Sequence, residues 1–273
     1  VHEQIRNVAR FDIPVLISGE PGTGKELVAR AIHSSSQRRN RKMVVINCGA
    51  IPSNIVEATF FGHKKGAFTG AVYERKGVFE TANNSTLFLD DIDSLPLDNQ
   101  SALLRAVEYN EIQRVGFDLP INVNVRIIFS TNGNLYEQIG MNKFRRDLFD
   151  RLNNYNIHVS PLRNRIDDIP SLASYFLKNF CNKYNIQKNI TNDSILELQD
   201  HSWPGNVRQL KHVIEKCSLY PNNPIIKRED ISEHLSNDFG IKENSFSENF
   251  LFLELLKSRK SMEEVTSGYL NTV

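Results

Sequence analysis

The sequence lacks the features that mark membrane-spanning, disulfide-stabilised and zinc-binding proteins. No apolar run approaches the roughly 18 residues that a membrane-spanning helix requires. The three cysteines, Cys48, Cys181 and Cys217, are odd in number, far apart and outside any Cys-x-x-Cys spacing. We therefore expect three reduced, buried thiols in a cytoplasmic protein that does not associate with membranes.

A large excess of charge of one sign is missing as well. The formal net charge is +1 over 273 residues, which argues against a protein that uses its whole surface to bind nucleic acid or membrane. The N-terminal stretch is interrupted early by an acidic residue and a proline, so it does not read as a signal peptide. The length is typical of about two domains.

The first half of the chain alternates short apolar runs with helical periodicity. Four runs are continuous and rich in β-branched residues, as strands buried on both faces of a parallel sheet are. They are VLIS (15–18), MVVIN (43–47), TLFLD (86–90) and VRIIFS (125–130). In the helix-patterned ELVARAIH, Leu27, Val28, Ala31 and Ile32 form one apolar stripe. The alternation predicts a three-layer α/β domain over residues 1–166.

After Pro161 the sequence shows helical spacing and no strand pattern. Three segments, DDIPSLASYFLKNFCNKY, TNDSILELQDH and GNVRQLKHVIEKC, predict a small all-helical domain over residues 167–235. Residues 236–273 are rich in Ser, Asn and Glu around the apolar patch FLFLELL, which predicts a linker with one isolated helix. They do not show two helices joined by a tight glycine turn, so no helix-turn-helix is indicated.

The strongest local signal is GEPGTGKE, which lies directly after the first strand and directly before a helix. Its glycines let backbone N–H groups converge on a phosphate, and the helix adds its positive N-terminus. Lys25 supplies a charge for the outer phosphates, whereas the Ser or Thr that usually follows this lysine is Glu26 here. The motif predicts a nucleotide-binding loop made of Gly19, Glu20, Pro21, Gly22, Thr23, Gly24, Lys25 and Glu26.

Two carboxylates end the third strand. Asp90 and Asp91 follow the apolar run TLFL. A carboxylate at this position can hold Mg²⁺ through its water ligands while its neighbour polarises an attacking water. By themselves, two acids at a strand end are equally well explained as solvated side chains. After a phosphate-binding loop, they predict nucleotide hydrolysis.

The stretch GHKKGAFTGAVYERKG, residues 62–77, places Phe68 among small and charged residues. Glycine weakens both helices and strands, so the stretch predicts a solvated loop. Taken alone, such a loop is best explained as a connection whose phenylalanine folds back onto the domain.

Five motifs, in this order, resemble the central domain of bacterial sigma-54-dependent transcription activators (enhancer-binding proteins), which are ring-forming AAA+ ATPases. They are GEPGTGKE, FFGHKKGAFTGA, STLFLDDI, FRRDLFDRL and WPGNVRQL. The resemblance covers about residues 1–235, and GAFTGA is its most specific motif. It implies ATP and Mg²⁺ as ligands, a helical lid, a ring that we expect to be a hexamer, and sigma-54 RNA polymerase as partner. DNA contact would then belong to a separate domain.

The resemblance also implies roles for single residues. Asp90 would be the Walker B ligand of magnesium, and Asp91 stands where the family has glutamate. Asn47 matches the asparagine that holds the catalytic carboxylate when the partner loop is disengaged. Asn132 matches the sensor I residue beside the γ-phosphate, and Arg208 matches the sensor II arginine of the lid.

Arg145 and Arg151 match arginines that reach the nucleotide of the neighbouring subunit. From the residues alone, these two and Arg146 are better explained as a solvated helix face that pairs with Asp147 and Asp150. Both interpretations stay open at this point.

The function implied by the resemblance is that of an ATP-hydrolysing ring subunit that remodels sigma-54 RNA polymerase. Its contact with sigma-54 would be the loop Gly66, Ala67, Phe68, Thr69, Gly70 and Ala71. Because Asp91 is shorter than glutamate by one C–C bond, an ATP-binding regulatory scaffold with weak hydrolysis stays open as the alternative. A helicase or unfoldase with a pore loop at this position is a third hypothesis, against which GAFTGA argues.

Overall fold

The computed structural model describes residues 1–219 and 223–237. The chain divides into two compact units, Val1–Pro161 and a second that begins at Leu162, whereas the predicted boundary follows residue 166. Residues 236 and 237, the first of the predicted linker, end a helix instead, and the rest of the linker lies outside the described residues.

The first unit alternates strands and helices, as the sequence predicts. Its strands are β1 Val15–Ser18, β2 Val44–Asn47, β3 Gly62–His63, β4 Arg75–Lys76, β5 Thr86–Asp90, β6 Glu111–Ile112, β7 Ile121–Asn122, β8 Arg126–Thr131 and β9 Asn156–His158. Its α-helices are α1 His2–Ala9, α2 Lys25–Ser34, α3 Val56–Phe61, α4 Val78–Thr81, α5 Leu97–Tyr109, α6 Leu135–Gly140 and α7 Arg146–Leu152.

Five of these strands form one parallel sheet in the order β2-β5-β8-β1-β9. The four predicted strands are all in it, each within one residue of its expected start. Strand β2 lies at an edge and its residues are half-buried, so the expectation of burial on both faces is wrong for this strand. Strand β9 was not predicted, because Ile157 is its only buried residue and no apolar run marks it.

The sheet is the middle of three layers. Alternate residues of a strand point to opposite faces, and in β1 the side chains of Val15 and Ile17 pack in one apolar cluster with residues of α1 and α2. Leu16 belongs to the other cluster, with residues of α3, α4 and α5. The predicted three-layer arrangement is therefore confirmed.

The stripe predicted for α2 is wrong at one position. Val28, Ala29 and Ile32 are buried, and with Lys25 they follow the i, i+3, i+4, i+7 spacing of one helix face. Leu27 lies off this face and is 70% exposed. The buried stripe therefore contains Ala29 in place of Leu27, because the helix directs Lys25 inward.

A two-residue antiparallel pair closes the base of the loop that contains GAFTGA. Strands β3 and β4 pair Gly62 with Lys76 and His63 with Arg75. The backbones approach so closely here that a Cβ on Gly77 would lie 2.3 Å from the carbonyl oxygen of Phe60 and 2.4 Å from the nitrogen of Gly62. Only glycine fits at position 77, and this position sets the place where the loop leaves the domain.

The second unit is mainly helical. Its helices are α8 Ile169–Tyr184, α9 Asn192–Asp200, α10 Asn206–Ser218 and α11 Arg228–Asn237. Trp203 is fully buried in the core of this unit, and its Nε1 donates to the carbonyl oxygen of Leu198 at 2.7 Å. Trp203 is therefore a packing residue of this unit.

One prediction for the second unit is wrong in detail. Strands β10 Asn189–Ile190 and β11 Ile225–Ile226 form a short parallel pair in a region where no strand was expected. Each strand is two residues long, too short to produce an alternating or continuous apolar run.

Within the part of the chain that the structure describes, no helix combines the length and the hydropathy that a membrane span requires.

The close approach at Gly77 generates a stability prediction. We expect Gly77→Ala to lower the free energy of unfolding by about 1–3 kcal/mol, because the new Cβ would overlap backbone atoms. Gly140→Ala adds the same atom where nothing lies within 4 Å. The free energy of unfolding of this variant should therefore fall by less than about 0.5 kcal/mol, or rise. Urea unfolding monitored by circular dichroism measures both, and equal effects would contradict this account of the loop base.

Candidate active site

Four polar residues predicted for the site lie at the carboxyl edge of the parallel sheet, namely Asn47, Asp90, Asp91 and Asn132. Strand β1 ends before the glycine-rich loop, β2 ends at Asn47 and β5 ends at Asp90. Asn47 and Asp90 are paired directly across the two strands. Asn132 follows β8, which lies between β5 and β1. Ligands of open α/β sheets bind at this edge, and the fold brings these residues together there.

The glycine-rich loop has the geometry that its sequence predicts. A Cβ on Gly19 would lie 2.6 Å from the carbonyl oxygen of Val159, so the chain passes too close for a side chain. Gly24 has φ 101°, a left-handed conformation that glycine adopts readily, and it precedes α2 without a side-chain cap. The first N–H groups of α2 therefore face the loop with no side chain of residue 24 in front of them, as an anion-binding helix start requires.

Lys25 lies inside the loop rather than in solvent and is 6% exposed. Its Nζ donates to the carbonyl oxygens of Gly19 at 2.9 Å and Glu20 at 3.2 Å. It also donates to Oδ1 of Asn132. The ammonium group thus joins the loop to the end of β8.

Two asparagines connect this lysine to the carboxylates. Asn132 donates through Nδ2 to Oδ1 of Asp91. Asn47 donates through Nδ2 to Oδ2 of Asp91 at 3.0 Å and to Oδ2 of Asp90 at 3.3 Å. The amide of Asn47 is held in this orientation because its Oδ1 accepts from the backbone N–H of Ala50 at 3.0 Å.

The network therefore runs Lys25–Asn132–Asp91–Asn47–Asp90. It joins a cation, two amides and two carboxylates at one edge of the sheet. Amide N–H donors stabilise neighbouring carboxylates in their charged form. The arrangement can hold two adjacent negative charges in a fixed position beside a phosphate-binding loop.

Two polar residues of this edge were missed by the sequence reasoning. Ser130 donates through Oγ to Oδ1 of Asp90, and Asp93 accepts from the backbone N–H of Asn132 at 3.3 Å. The sequence signal was a serine at the end of the apolar run VRIIF, and a third acid in LDDID.

Two predicted residues of the loop have side chains outside the hydrogen-bonded network. Glu26 is on the exposed side of α2 and forms an i,i+4 ion pair with Arg30 at 2.6 Å. Thr23 is buried, and its hydroxyl donates to the carbonyl oxygen of Glu20 at 2.8 Å. Glu26 therefore faces solvent, whereas Thr23 stabilises the turn of the loop.

The arginines before and within α7 form the surface pairs that the residues alone suggested, with one additional partner. Arg145 pairs with Asp147 at 2.7 Å and Arg146 with Asp150 at 3.3 Å. The solvent-exposed Arg145 guanidinium donates hydrogen bonds to Asp147, and these raise the pKa of Arg145. Arg151, by contrast, reaches back to Glu108 on α5 at 2.6 Å.

The GAFTGA loop is a compact turn with an exposed tip. The N–H of Gly66 donates to the carbonyl oxygen of Ala71 at 2.8 Å, and both Gly66 (φ 81°) and Gly70 (φ 102°) are left-handed. Phe68 has its ring edge against His63, with centroids 5.0 Å apart, and is still 41% exposed. Thr69, next to it, is exposed. Phe68 therefore folds back only in part.

Arg208 lies in the second unit, near the start of α10, and is exposed. It is the third residue of that helix, after Asn206, which is fully buried. The helix start thus holds Arg208 on the surface of its own unit.

The cysteines are free thiols, of which Cys48 and Cys217 are buried and Cys181 is half-buried. Cys48 directly follows Asn47. Burial, reinforced by the nearby carboxylates of Asp90 and its neighbours, raises the pKa of Cys48 to about 12. This thiol therefore stays protonated near neutral pH.

Comparison with known families identifies both units. The family model described as the sigma-54 interaction domain matches residues 1–158, and the model of the AAA+ ATPase lid domain matches residues 163–246. The predicted fold class, a parallel-sheet P-loop domain followed by a helical lid, is confirmed.

Similar proteins were found among curated sequences and solved structures. The anaerobic nitric oxide reductase transcription regulator NorR of Vibrio vulnificus is 44% identical over 243 residues, which are 89% of this chain and 47% of that protein. The Nif-specific regulatory protein of Azotobacter vinelandii is 44% identical over 85% of this chain and 44% of its own length. The crystal structure of NtrX from Brucella abortus in complex with ATP matches with a TM-score of 0.79 and 32% identity, over 96% of this chain and 59% of that one. This chain spans about half the length of these curated relatives.

The raised pKa of Cys48 predicts how the thiols react. Only the thiolate attacks a disulfide reagent, so at pH 8 we expect Cys48 and Cys217 to resist Ellman's reagent while the half-buried Cys181 reacts. In denaturant all three should react. Mass spectrometry of the labelled peptides measures this, and rapid labelling of Cys48 in the folded protein would contradict the buried position of this thiol.

Proposed function

The chain belongs to the sigma-54 interaction domain family, and from that premise we propose that it is an ATP-hydrolysing subunit that remodels sigma-54 RNA polymerase and so activates transcription. The relatives include a transcription regulator and a Nif-specific regulatory protein, which supports the regulatory part of this proposal. The observation that carries the catalytic part is the network Lys25–Asn132–Asp91–Asn47–Asp90 beside the glycine-rich loop.

The residues of this edge fit ATP with Mg²⁺. Lys25 donates to the carbonyl oxygens of Gly19 and Glu20. These neutral acceptors are weaker than the charged oxygens of a β- or γ-phosphate, which could take their place. The helix start behind Gly24 attracts the same phosphates. Asp90 would hold the Mg²⁺, which supplies positive charge to the phosphate oxygens as the terminal phosphate is transferred.

The roles of the other network members follow from their bonds. When Lys25 turns toward phosphate, it leaves Oδ1 of Asn132, whose amide also holds Asp91. Asp91 would then polarise the attacking water, while Asn47 restrains its other oxygen. We propose that this sequence of hydrogen bonds changes according to whether the terminal phosphate is present.

The same network is connected along the chain to the GAFTGA loop. Asn47 ends β2, and the chain continues from it through α3 to β3, at the base of the loop. A change in the bonds of Asn47 would therefore shift the segment that carries the loop, as a two-state switch does. Phe68 and Thr69 at the exposed tip would contact sigma-54.

We propose that Arg145 and Arg151 act on the nucleotide of a neighbouring subunit in a hexameric ring. To do so they must leave Asp147 and Glu108, and exposed ion pairs of this kind contribute little to stability because water screens them. An arginine finger accelerates phosphoryl transfer by roughly 10³-fold or more, which corresponds to at least about 4 kcal/mol. The stabilisation of the transition state is therefore larger than the stability that is lost with the two ion pairs. Arg208 of the lid would contact the nucleotide of its own subunit.

Asp91 supports a second candidate, an ATP-binding scaffold that scarcely hydrolyses. Its side chain is one carbon shorter than the glutamate of the family, and both of its oxygens are held by asparagines. Membership of the sigma-54 interaction domain family argues against a helicase or an unfoldase.

Thr69→Ala tests the contact with sigma-54. We expect this variant to lose transcription from a sigma-54 promoter while its ATPase rate stays within about threefold, because residue 69 is exposed at the tip and far in sequence from the network. Tyr73→Ala, which removes a side chain that is 80% exposed outside the motif, should keep both activities. In vitro transcription with purified holoenzyme measures the effect, and full activation by Thr69→Ala would refute the proposed contact.

Asp91→Glu separates the two candidates. If the chain is an ATPase, the parent should release phosphate well above the Asp91→Asn background, and Asp91→Glu should change its rate by less than about tenfold, since both acids can polarise water. If it is a scaffold, the parent should match Asp91→Asn and only Asp91→Glu should hydrolyse ATP. Steady-state phosphate release decides between these outcomes.

A further inference from the structure

A buried hydroxyl group lies between the two acids of the site. Ser130 is 0% exposed and is the fifth residue of β8. The pairing of β5 with β8 sets Leu89 opposite Phe129, so the next residues, Asp90 and Ser130, are neighbours across the two strands. The hydroxyl is therefore placed by the sheet itself and not by a mobile loop.

The hydrogen bonds of this hydroxyl have assigned directions. The backbone N–H of Asp91 donates to Oγ of Ser130 at 3.1 Å. A hydroxyl has one proton to donate, and Ser130 directs it to Oδ1 of Asp90. One side chain thus contacts both acids, the first through its carboxylate and the second through its backbone.

The other oxygen of Asp90 has a separate donor. Oδ2 accepts from Nδ2 of Asn47 at 3.3 Å. Two donors from two different strands therefore hold the carboxylate, and its plane is set by Ser130 on one side and Asn47 on the other.

The backbone of Asp91 requires such a restraint. Asp91 has φ 55° and ψ 51°, a left-handed conformation that costs non-glycine residues free energy. The bond from its N–H to Ser130 stabilises this conformation. The conformation in turn directs the Asp91 side chain toward Asn47 and Asn132.

We infer that Ser130 is a positioning residue, which orients the Asp90 carboxylate toward Mg²⁺ and holds Asp91 where it can act on water. This inference rests on the proposed function, because it assigns Ser130 to the same site. Ser130 need not touch the nucleotide, since it acts through Asp90 and Asp91. Residues that orient metal-binding carboxylates in this way typically change metal affinity or activity by about 10–100-fold when removed.

The test measures the affinity of the full chain for a fluorescent ATP derivative, once with Mg²⁺ and once with EDTA. For Ser130→Ala, we expect the gain in affinity that Mg²⁺ provides to fall by about 10–100-fold, with the affinity in EDTA unchanged. Ser130→Cys keeps the shape of the side chain, in a slightly larger volume, but replaces the hydroxyl with a weak donor, and it should lose the gain as well. Binding is measured because it does not require hydrolysis.

Ser85→Ala is the matched control. Ser85 is also buried, precedes the opposite end of β5, and donates through its hydroxyl to the carbonyl oxygen of Lys42 at 2.8 Å. This variant should keep the full gain from Mg²⁺. Thermal unfolding of the three variants identifies those that are folded.

The outcomes separate this inference from the proposed function. If the parent gains affinity from Mg²⁺ but does not hydrolyse ATP, the ATPase proposal fails and the role of Ser130 is still decided by the variants. A parent with no gain, a folded Ser130 variant that keeps its gain within about twofold, or an equal loss in EDTA would each overturn the inference.

Discussion

The arrangement of this site depends on one hydrogen-bonded chain, which runs from the ammonium of Lys25 through Asn132 to Asp91, and through Asn47 to Asp90. Two adjacent carboxylates repel each other, and the amide donors reduce that repulsion by bonding both. Asn47 and Asp90 end two neighbouring strands, Asn132 follows a third, and Lys25 begins the helix after a fourth. The network therefore forms where the carboxyl ends of the parallel strands lie side by side.

The second constraint is the close backbone approach at the base of the GAFTGA loop. Gly62 and Gly77 meet there with no room for a Cβ, and this fixes the exit of the loop while its tip stays exposed. The left-handed glycines Gly66 and Gly70 then shape the tip around Phe68. A rigid base and a glycine-shaped tip suit a loop that displays a contact, and they explain why an aromatic side chain is tolerated there in a partly exposed position.

Much of this was predictable from the sequence, and the failures have physical causes. Apolar runs marked the buried strands, and glycine spacing marked the phosphate-binding loop. Strand β9 was missed because Ile157 alone is buried in it. Leu27 was misplaced because the inward turn of Lys25 shifts the buried stripe of α2, a shift that depends on the loop before it. Ser130 was missed because its importance comes from its cross-strand neighbour Asp90, which periodicity along one strand cannot reveal.

The central claim is that the chain hydrolyses ATP at a site that a neighbouring subunit completes. The most direct measurement is the ATPase rate per subunit as a function of protein concentration, for the parent, Arg145→Ala and Arg146→Ala. Arg146 is the matched control, because it is the next residue along the chain, the first of α7, and pairs on the surface with Asp150. The account predicts a rate that rises steeply with concentration in the parent and in Arg146→Ala, and that stays low throughout in Arg145→Ala. A rate per subunit that does not change with concentration, or that is equal in the two arginine variants, would contradict it.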